Sequence, residues 1–366
     1  MKSVSIVGAG IAGLAHAYAF AKRGWRVRVY ERSHRAGGAS VRNFGMVWPI
    51  GQPAGELEIL ASESRALWLE ILTAAKLPFW PLGSLHVAHR EDEANVAREF
   101  AEREPHRARW IDAAETVELS PSVNPDGLIG ALHSESEVVV DPRLILWTLP
   151  EFLDERYGVE FHFETAVTDV RQVAADRVIV CTGYDFATLY PRVLAASGLT
   201  RCKLQMLRTH AQPQSWTFGP ALAGGLTLRF YSSFRACSSL GALRSRIAGE
   251  FPEYDRWGIH VMASQTADRA ITIGDSHEYG LSVDVFNKEE IDELILRYLT
   301  GFARFPNMGV AQRWYGVYSK HPDAPYYTAE PEPGVQVVTG LGGAGMTLSF
   351  GLAETLVRAA EDGVLN

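Results

Sequence analysis

The chain has 366 residues, 47% of them apolar, and a net charge of −8 at neutral pH. That length exceeds one simple hydrophobic core and predicts two closely linked domains. The acidic balance, with arginines scattered and no basic block, excludes a nucleic-acid-binding surface.

No apolar run is long enough to cross a bilayer, and the first strand pattern begins at Val4 without space for a signal peptide, so a cytoplasmic protein is expected. "SVSIV" (3–7) reads as a buried strand, "GAGIAG" as a turn, "LAHAYAFAKRGW" as a helix closing at Gly24, and "RVRVYE" (26–31) as a second strand ending on Glu31. Within this strand–turn–helix–strand order, G-x-G-x-x-G is a dinucleotide site. Gly8 makes the tight turn, Gly10 lets the backbone approach a pyrophosphate, and Gly13 lets helix and strand pack closely. The helix start at Ile11 and Ala12 offers N–H groups and a positive dipole end to the anion. Glu31 is placed to accept hydrogen bonds from ribose hydroxyls. The motif alone leaves NAD and FAD open.

The following loop, "ERSHRAGGASVRNFGMVW", carries Gly37-Gly38 and Gly45-Met46. Its length and glycines suit the extended ribityl and ring system of FAD, and "FGMVWP" is too apolar for an ordinary surface loop. Glu56, Glu58, Glu63 and Glu70 flank Leu57, Leu60, Leu67, Trp68 and Ile71, the wet and dry sides of an amphipathic helix. "HREDEANVAREFAERE" reads as a solvated helix face. His86 and His89 lack the spacing of a metal site, and none is expected. Strand-like runs follow at "LTLRFYSS" (226–233), "GIHVMAS" (258–264) and "AITIGDSH" (270–277), then a strand "VQVVTG" (335–340), a glycine turn and a helix over 346–362. Cys181, Cys202 and Cys237 form no C-x-x-C and fit a reducing compartment without disulfides. No nucleophile elbow or P-loop is present.

Gly8–Gly13, Glu31-Arg32, "GGAS" (37–40), Gly45-Met46, "VVVDPRLI" (138–145), "AVTDV" (166–170), "RVIVCTG" (177–183) and the late "GLGGAGMTLSFG" (340–351) together resemble the D-amino-acid oxidase superfamily of flavoproteins, which includes glycine and sarcosine oxidases. The resemblance covers nearly the whole chain. It implies an α/β (α+β overall) fold in which a Rossmann-type FAD-binding domain (1–84, 134–203 and 306–366) is interleaved with an antiparallel-sheet substrate domain (85–133 and 204–305). It places Arg32, Gly38, Ala39, Ser40, Asn43, Gly45, Met46, Val167, Thr182 and Gly183 along the cofactor. It also sets the second glycine turn, Gly342, Gly343, Ala344 and Gly345 with Met346 and Thr347, against the pyrimidine edge of the flavin. A helix start there stabilises the negative charge left near N1 when hydride reaches N5. Trp314 stands where covalent relatives carry a flavin-linking cysteine, so FAD is expected to be non-covalent.

The departures bear on substrate. Tyr318 replaces the arginine that holds an amino-acid carboxylate, and Thr347 replaces a lysine of sarcosine oxidases. Arg42, Lys203, Arg229, Lys320 and His321 are the alternative cations, and Met46, Tyr231 and Tyr318 are further substrate candidates, with Gln265 and Glu278 weaker. His260 alternates within its strand, either as a catalytic group in the chamber or as a structural histidine. "GASVRNFGMVWPIGQ" and "CKLQMLRT" are most similar to a branch associated with phosphonate catabolism. The expected activity is FAD-dependent oxidation of the C–N bond of a small zwitterionic amine, with O2 or another electron acceptor and 2-aminoethylphosphonate or an N-alkyl derivative as substrate. The alternatives are a 2-hydroxy-acid dehydrogenase using His260 as base, and a flavin-binding subunit with "FGMVWPI" as partner contact. The oligomeric state is left open.

Overall fold

The computed structural model describes residues 1–361. Asp362, the expected helix end, and the remainder of the 306–366 segment lie outside them. Among the described residues no helix is long and apolar enough to cross a membrane.

The first strand, β1 (Ser3–Val7), is flanked in parallel by β2 (Arg26–Tyr30) and by Arg177–Val180, with Ser5 opposite Arg28 and Val178. Its Val4, Ser5 and Ile6 are each almost fully buried, as a central parallel strand covered on both faces requires. The six-stranded sheet runs Tyr327–Glu332, Val335–Thr339, Arg177–Val180, β1, β2, Glu160–His162. Only the Tyr327–Glu332 edge is antiparallel. The crossover helix α1 (Ile11–Ala21) sits close on β1 because Gly13 has no side chain: a Cβ there would lie 1.9 Å from Gly8 O. Helix α2 (Glu56–Ala74) and the last described helix, Gly345–Glu361, pack over the same face, joined by a hydrogen bond from Trp68 Nε1 to Met346 O at 2.7 Å.

A second sheet of nine strands is mostly antiparallel. Its spine is the long pairing of Thr200–Thr209 with Val310–Lys320. Residues Met262–Gln265, Ile271–Gly274 and Ala221–Gly224 extend it toward Ser84–Ala88, with the last two segments parallel. Leaving this sheet at Lys320, the chain enters the parallel sheet at Tyr327. The antiparallel sheet therefore hangs over the carboxyl ends of the parallel strands, the side on which open α/β sheets bind ligands.

Three expectations are corrected. The strand expected over 258–264 begins only at Met262, so His260 lies in the segment before it instead of alternating within it. The run 226–233 is not a strand but two short 3-10 turns, Gly225–Arg229 and Ser232–Ala236. Its alternating pattern misleads because Leu226, Thr227 and Leu228 are all buried. Leu226 N donates to Tyr298 Oη at 2.9 Å instead of to a ladder. The charge run around helix Glu91–Arg103 is not simply solvated. Glu93 is only 5% exposed and accepts from His89 N, Arg90 N and Arg246 Nη2, while Asp92 and Glu99 bind Arg246 and the Ser238-Ser239 segment. As its apolar character predicts, the stretch 44–50 is interior from Gly45 onward, with its backbone satisfied by buried side chains. Trp48 N donates to Thr347 Oγ1, Ile50 N to Glu137 Oε1, and Arg107 donates to the Pro49, Ile50 and Gln52 carbonyls.

Candidate active site

The carboxyl ends of β1, β2, Arg177–Val180 and Val335–Thr339 open into a cavity of about 490 Å³. Gly8, Gly10, Ile11, Ala12, Glu31, Arg32, Gly38, Ala39, Ser40, Val167, Thr182, Gly183, Gly342 and Gly345 line it. A second cavity, about 470 Å³, is lined by Asn43, Met46, Tyr231, His260, Tyr318, Lys320, His321 and Gly342 to Met346. Ile11, Ser40, Arg42, Tyr318, Leu341 and Gly345 border both, making one elongated trough.

Two helix starts face this trough. Gly10, the N-cap of α1, offers no side-chain cap, and no acid occupies the first turn. Ile11 N donates to Ser40 Oγ at 2.9 Å, tying the loop to the helix. Glu31 is held by two backbone donors, Ala9 N on Oε2 (3.1 Å) and Ser33 N on Oε1 (3.0 Å). Arg32 pairs with Asp185 at 2.9 Å. The late turn is fixed by a relay: Gly340 N donates to Ser319 Oγ (3.0 Å), Ser319 and Thr339 hydroxyls meet at 2.7 Å, and Thr339 Oγ1 donates to Gly183 O (2.7 Å). The 3-10 turn Gly342–Ala344 then leads into the last described helix, whose first turn also lacks an acid. Uncapped N–H groups at a helix start favour an anion. Two such starts on one trough, with a carboxylate fixed for hydroxyl recognition, are the donor set that FAD's pyrophosphate, ribose and flavin edge need.

Three expected cofactor residues line neither cavity. Gly13 acts through packing. Gly45 is required because a Cβ would fall 1.9 Å from Val140 O. Thr347 is buried and accepts from Trp48 N. Asn43 reaches the trough, but its side chain is spent on the loop, donating to Ala39 and Ser40 carbonyls and accepting from Gly45 N.

The second cavity is walled by rings. Phe230 and His260 centroids lie 4.3 Å apart, His260 and His277 5.2 Å, and His277 and Tyr279 6.1 Å. Burial pushes His260 well below the usual histidine range and His277 down to about 4. Tyr231 and Tyr318 are pushed upward by the same cause. Lys320, with its Nζ 3.3 Å from Tyr279 Oη, lines this chamber with Arg42, His321 and Arg235. Lys203 and Arg229 do not: Lys203 is fully buried against the Phe286 carbonyl, and Arg229 pairs with Asp255. Gln265 is bonded to Arg269 O and Glu278 to Lys288, also away from the chamber. Trp314 lies outside, donating to Arg42 O in a shallow hollow with Arg143 and Arg313. Sequence separation hid Cys202, which the antiparallel register sets opposite Tyr318. Burial raises its thiol to about 12, an unreactive state.

Asp275 and His277 are chamber residues that sequence reasoning missed. Their two-residue spacing just past a strand was the available signal. His260 stands beside them, exchanging backbone hydrogen bonds with Asp275.

The fold and the trough fit a flavin dinucleotide. The model of the family "FAD dependent oxidoreductase" (DAO) matches residues 3–359, and the chain belongs to that family. Glycine oxidase from Geobacillus kaustophilus is 28% identical over 214 residues, 55% of each chain. The chain spans about half the length of the curated relatives it matches. The crystal structure of that glycine oxidase has a TM-score of 0.75 at 19% identity, covering 99% of this chain and 95% of that one. L-α-glycerophosphate oxidase from Mycoplasma pneumoniae with FAD bound has a TM-score of 0.72 at 18% identity, with 99% and 95% covered.

Proposed function

We propose that the enzyme oxidises the C–N bond of a small zwitterionic amine bearing a tetrahedral anion, 2-aminoethylphosphonate or an N-alkyl derivative, in the cytoplasm. The observation that carries this reading is the chamber wall. Arg42, Lys320, His321 and Arg235 contribute separate cationic or donor groups, while Tyr318 stands where a planar guanidinium fork is expected. A tetrahedral anion with three acceptor oxygens suits several separate donors. Likeness to glycine oxidase supports the amine.

Bound FAD supplies a hydride acceptor at flavin N5. The chain's part is to hold the pyrophosphate at Gly10–Ala12, the ribose at Glu31, and the flavin edge at the helix start 342–345, where uncapped N–H groups stabilise negative charge. Tyr318, Tyr231 and Met46 shape the chamber and exclude water. Oxidation of a neutral amine requires a positioned C–H more than a strong base. FAD is held non-covalently in this proposal, as the sequence alignment of Trp314 with the linking cysteine of covalent relatives implies. In this reading 1–84, 134–203 and 306–366 hold FAD, and 85–133 with 204–305 form most of the substrate chamber. O2 or another electron acceptor would take up the electrons that a bound flavin receives.

A second reading, 2-hydroxy-acid oxidation, is favoured by one observation. His260 is buried, neutral and lacks a hydrogen-bond partner at Nδ1 among the described residues, as a waiting base would be. His260→Ala separates the two: it abolishes flavin reduction by a hydroxy acid, but slows without abolishing reduction by an amine. A variant that loses amine reduction altogether contradicts the first reading. The flavin-subunit reading loses its proposed contact, because Met46 to Ile50 are interior.

A further inference from the structure

Asp275 follows the strand Ile271–Gly274 on the chamber wall and is 6% exposed. Its Oδ1 has no hydrogen-bond partner among the described residues. The ion-pairing groups that approach it are two imidazoles, His260 Nε2 at 3.1 Å and His277 Nδ1 at 4.0 Å. Neither supplies a counter-charge. His277 Nδ1 is engaged by Gly258 O at 2.9 Å, and burial keeps both rings neutral. The other titratable groups acting with Asp275 are Tyr231, Tyr279, Tyr318 and Cys202, all neutral; Lys320 and Arg229 act on the imidazoles rather than on the carboxyl.

A buried carboxyl without a cation keeps its proton or needs a ligand that brings the charge. Burial does hold the Asp275 proton. Phe230, Tyr231, His260, His277 and Tyr318 line the same chamber and pack ring against ring beside it. A recess of aromatic rings around a carboxyl is the chemistry that receives an alkylammonium ion. Lys320, His321, Arg42 and Arg235 supply the opposite sign elsewhere in the same chamber, so a zwitterion has one orientation in which both ends are matched.

Building on the amine reading above, we propose that Asp275 is the counter-ion and proton acceptor of the substrate ammonium group, within a ring-walled recess selective for primary and secondary alkylammonium zwitterions. When the ammonium ion arrives, Asp275 loses its proton to solvent and becomes the paired carboxylate. One N–H bond of the ammonium then breaks, an O–H bond forms on Asp275, and the electron pair stays on nitrogen as its lone pair. No oxidant is needed for this step.

The test uses FAD-loaded enzyme and 2-aminoisobutyrate, whose amine-bearing carbon has no hydrogen to lose, with isobutyrate as the anion-only comparison. Isothermal titration in buffers of different ionisation enthalpy counts protons. Wild type is expected to prefer 2-aminoisobutyrate and to release close to one proton at neutral pH. Asp275→Asn, near-isosteric and breaking no hydrogen bond at Oδ1, is expected to lose at least about tenfold of that preference together with the proton release. Asp275→Glu is expected to restore part of both. FAD content and melting temperature are measured on each variant, and Asp275→Ser, which also removes the carboxyl, replaces Asp275→Asn as the deciding comparison if the latter does not fold.

Unchanged preference and proton release in Asp275→Asn overturn the inference, as does a wild type that amines reduce but 2-aminoisobutyrate does not bind. A zinc ion held stoichiometrically by His260, Asp275 and His277 in an enzyme that amines still reduce also overturns it. In each of these cases reduction of the enzyme by amines still stands; failure of every amine to reduce the wild type overturns the amine reading itself.

Discussion

Gly13→Ala tests the coupling of backbone packing to cofactor binding. The new Cβ lies 1.9 Å from Gly8 O and 3.4 Å from Ile6 Cγ2. Contacts below 3.0 Å essentially never occur, so helix α1 has to retreat from β1 by about 1.1 Å. Neither neighbour can rotate away, because one is a backbone carbonyl and the other a side chain buried in the sheet. Overpacking of this kind costs about 1–3 kcal/mol. The same retreat carries the Gly10–Ala12 donors away from the pyrophosphate position, so binding falls with stability. The assay is urea denaturation of the protein with and without FAD, plus the flavin-to-protein absorbance ratio after gel filtration. Gly249→Ala, whose Cβ meets nothing within 4 Å in a surface helix, is the control and is neutral or stabilising by up to about 1 kcal/mol. A Gly13→Ala protein with wild-type midpoint and full flavin content would show that the approach of α1 to Gly8 does not set the cofactor site.

Glu31→Gln keeps the shape but removes the charge that two backbone donors orient; FAD affinity drops roughly tenfold to a hundredfold, measured by fluorescence titration, and the apoprotein loses about 1–3 kcal/mol because the amide accepts from only one of the Ala9 and Ser33 N–H groups. Acid stability follows from buried histidines. Burial alone lowers His86 to about 3, and His16 is lowered to about 4 mainly by burial. A histidine depressed in the folded state contributes stability above its unfolded value of 6.5 and loses it as pH falls toward the folded value. Shifts of this size correspond to about 3–5 kcal/mol each. His86, against the Trp48 and Phe234 rings with neither nitrogen partnered among the described residues, gives the cleaner variant. His86→Leu flattens the loss of stability between pH 6 and 3 and leaves stability at pH 7 unchanged or higher by about 1 kcal/mol; a variant with the wild-type acid limb contradicts the assignment.

Much of the nucleotide half was legible because its signals are local. Gly8, Gly10 and Gly13 sit at fixed spacing between two short strands, and Val335–Thr339 with the helix after it repeats the same grammar. The substrate half was less legible because its geometry is made by pairing across long separations. Nothing near residue 202 indicates that Cys202 faces Tyr318; the register of two long strands does that. Alternation failed at 226–233, where residues of both parities are buried and a side-chain hydroxyl replaces the ladder partner. Asp275 went unnoticed because its significance lies in a missing partner, which no sequence pattern displays. Among the proposed cations, Lys203 and Arg229 were drawn off by Phe286 and Asp255, contacts between segments about 83 and 26 residues apart.

The proposed function has this trough hold FAD and present a zwitterionic amine to it. The most direct measurement is the visible spectrum of the purified protein under anaerobic conditions, with glycine, sarcosine, D-alanine, 2-aminoethylphosphonate, its N-methyl derivative and 2-hydroxyglutarate added in turn. Bleaching of bound flavin by an aminophosphonate, with little response to 2-hydroxyglutarate, is the result predicted. Bleaching by the hydroxy acid alone, or a colourless protein that takes up no FAD, contradicts it.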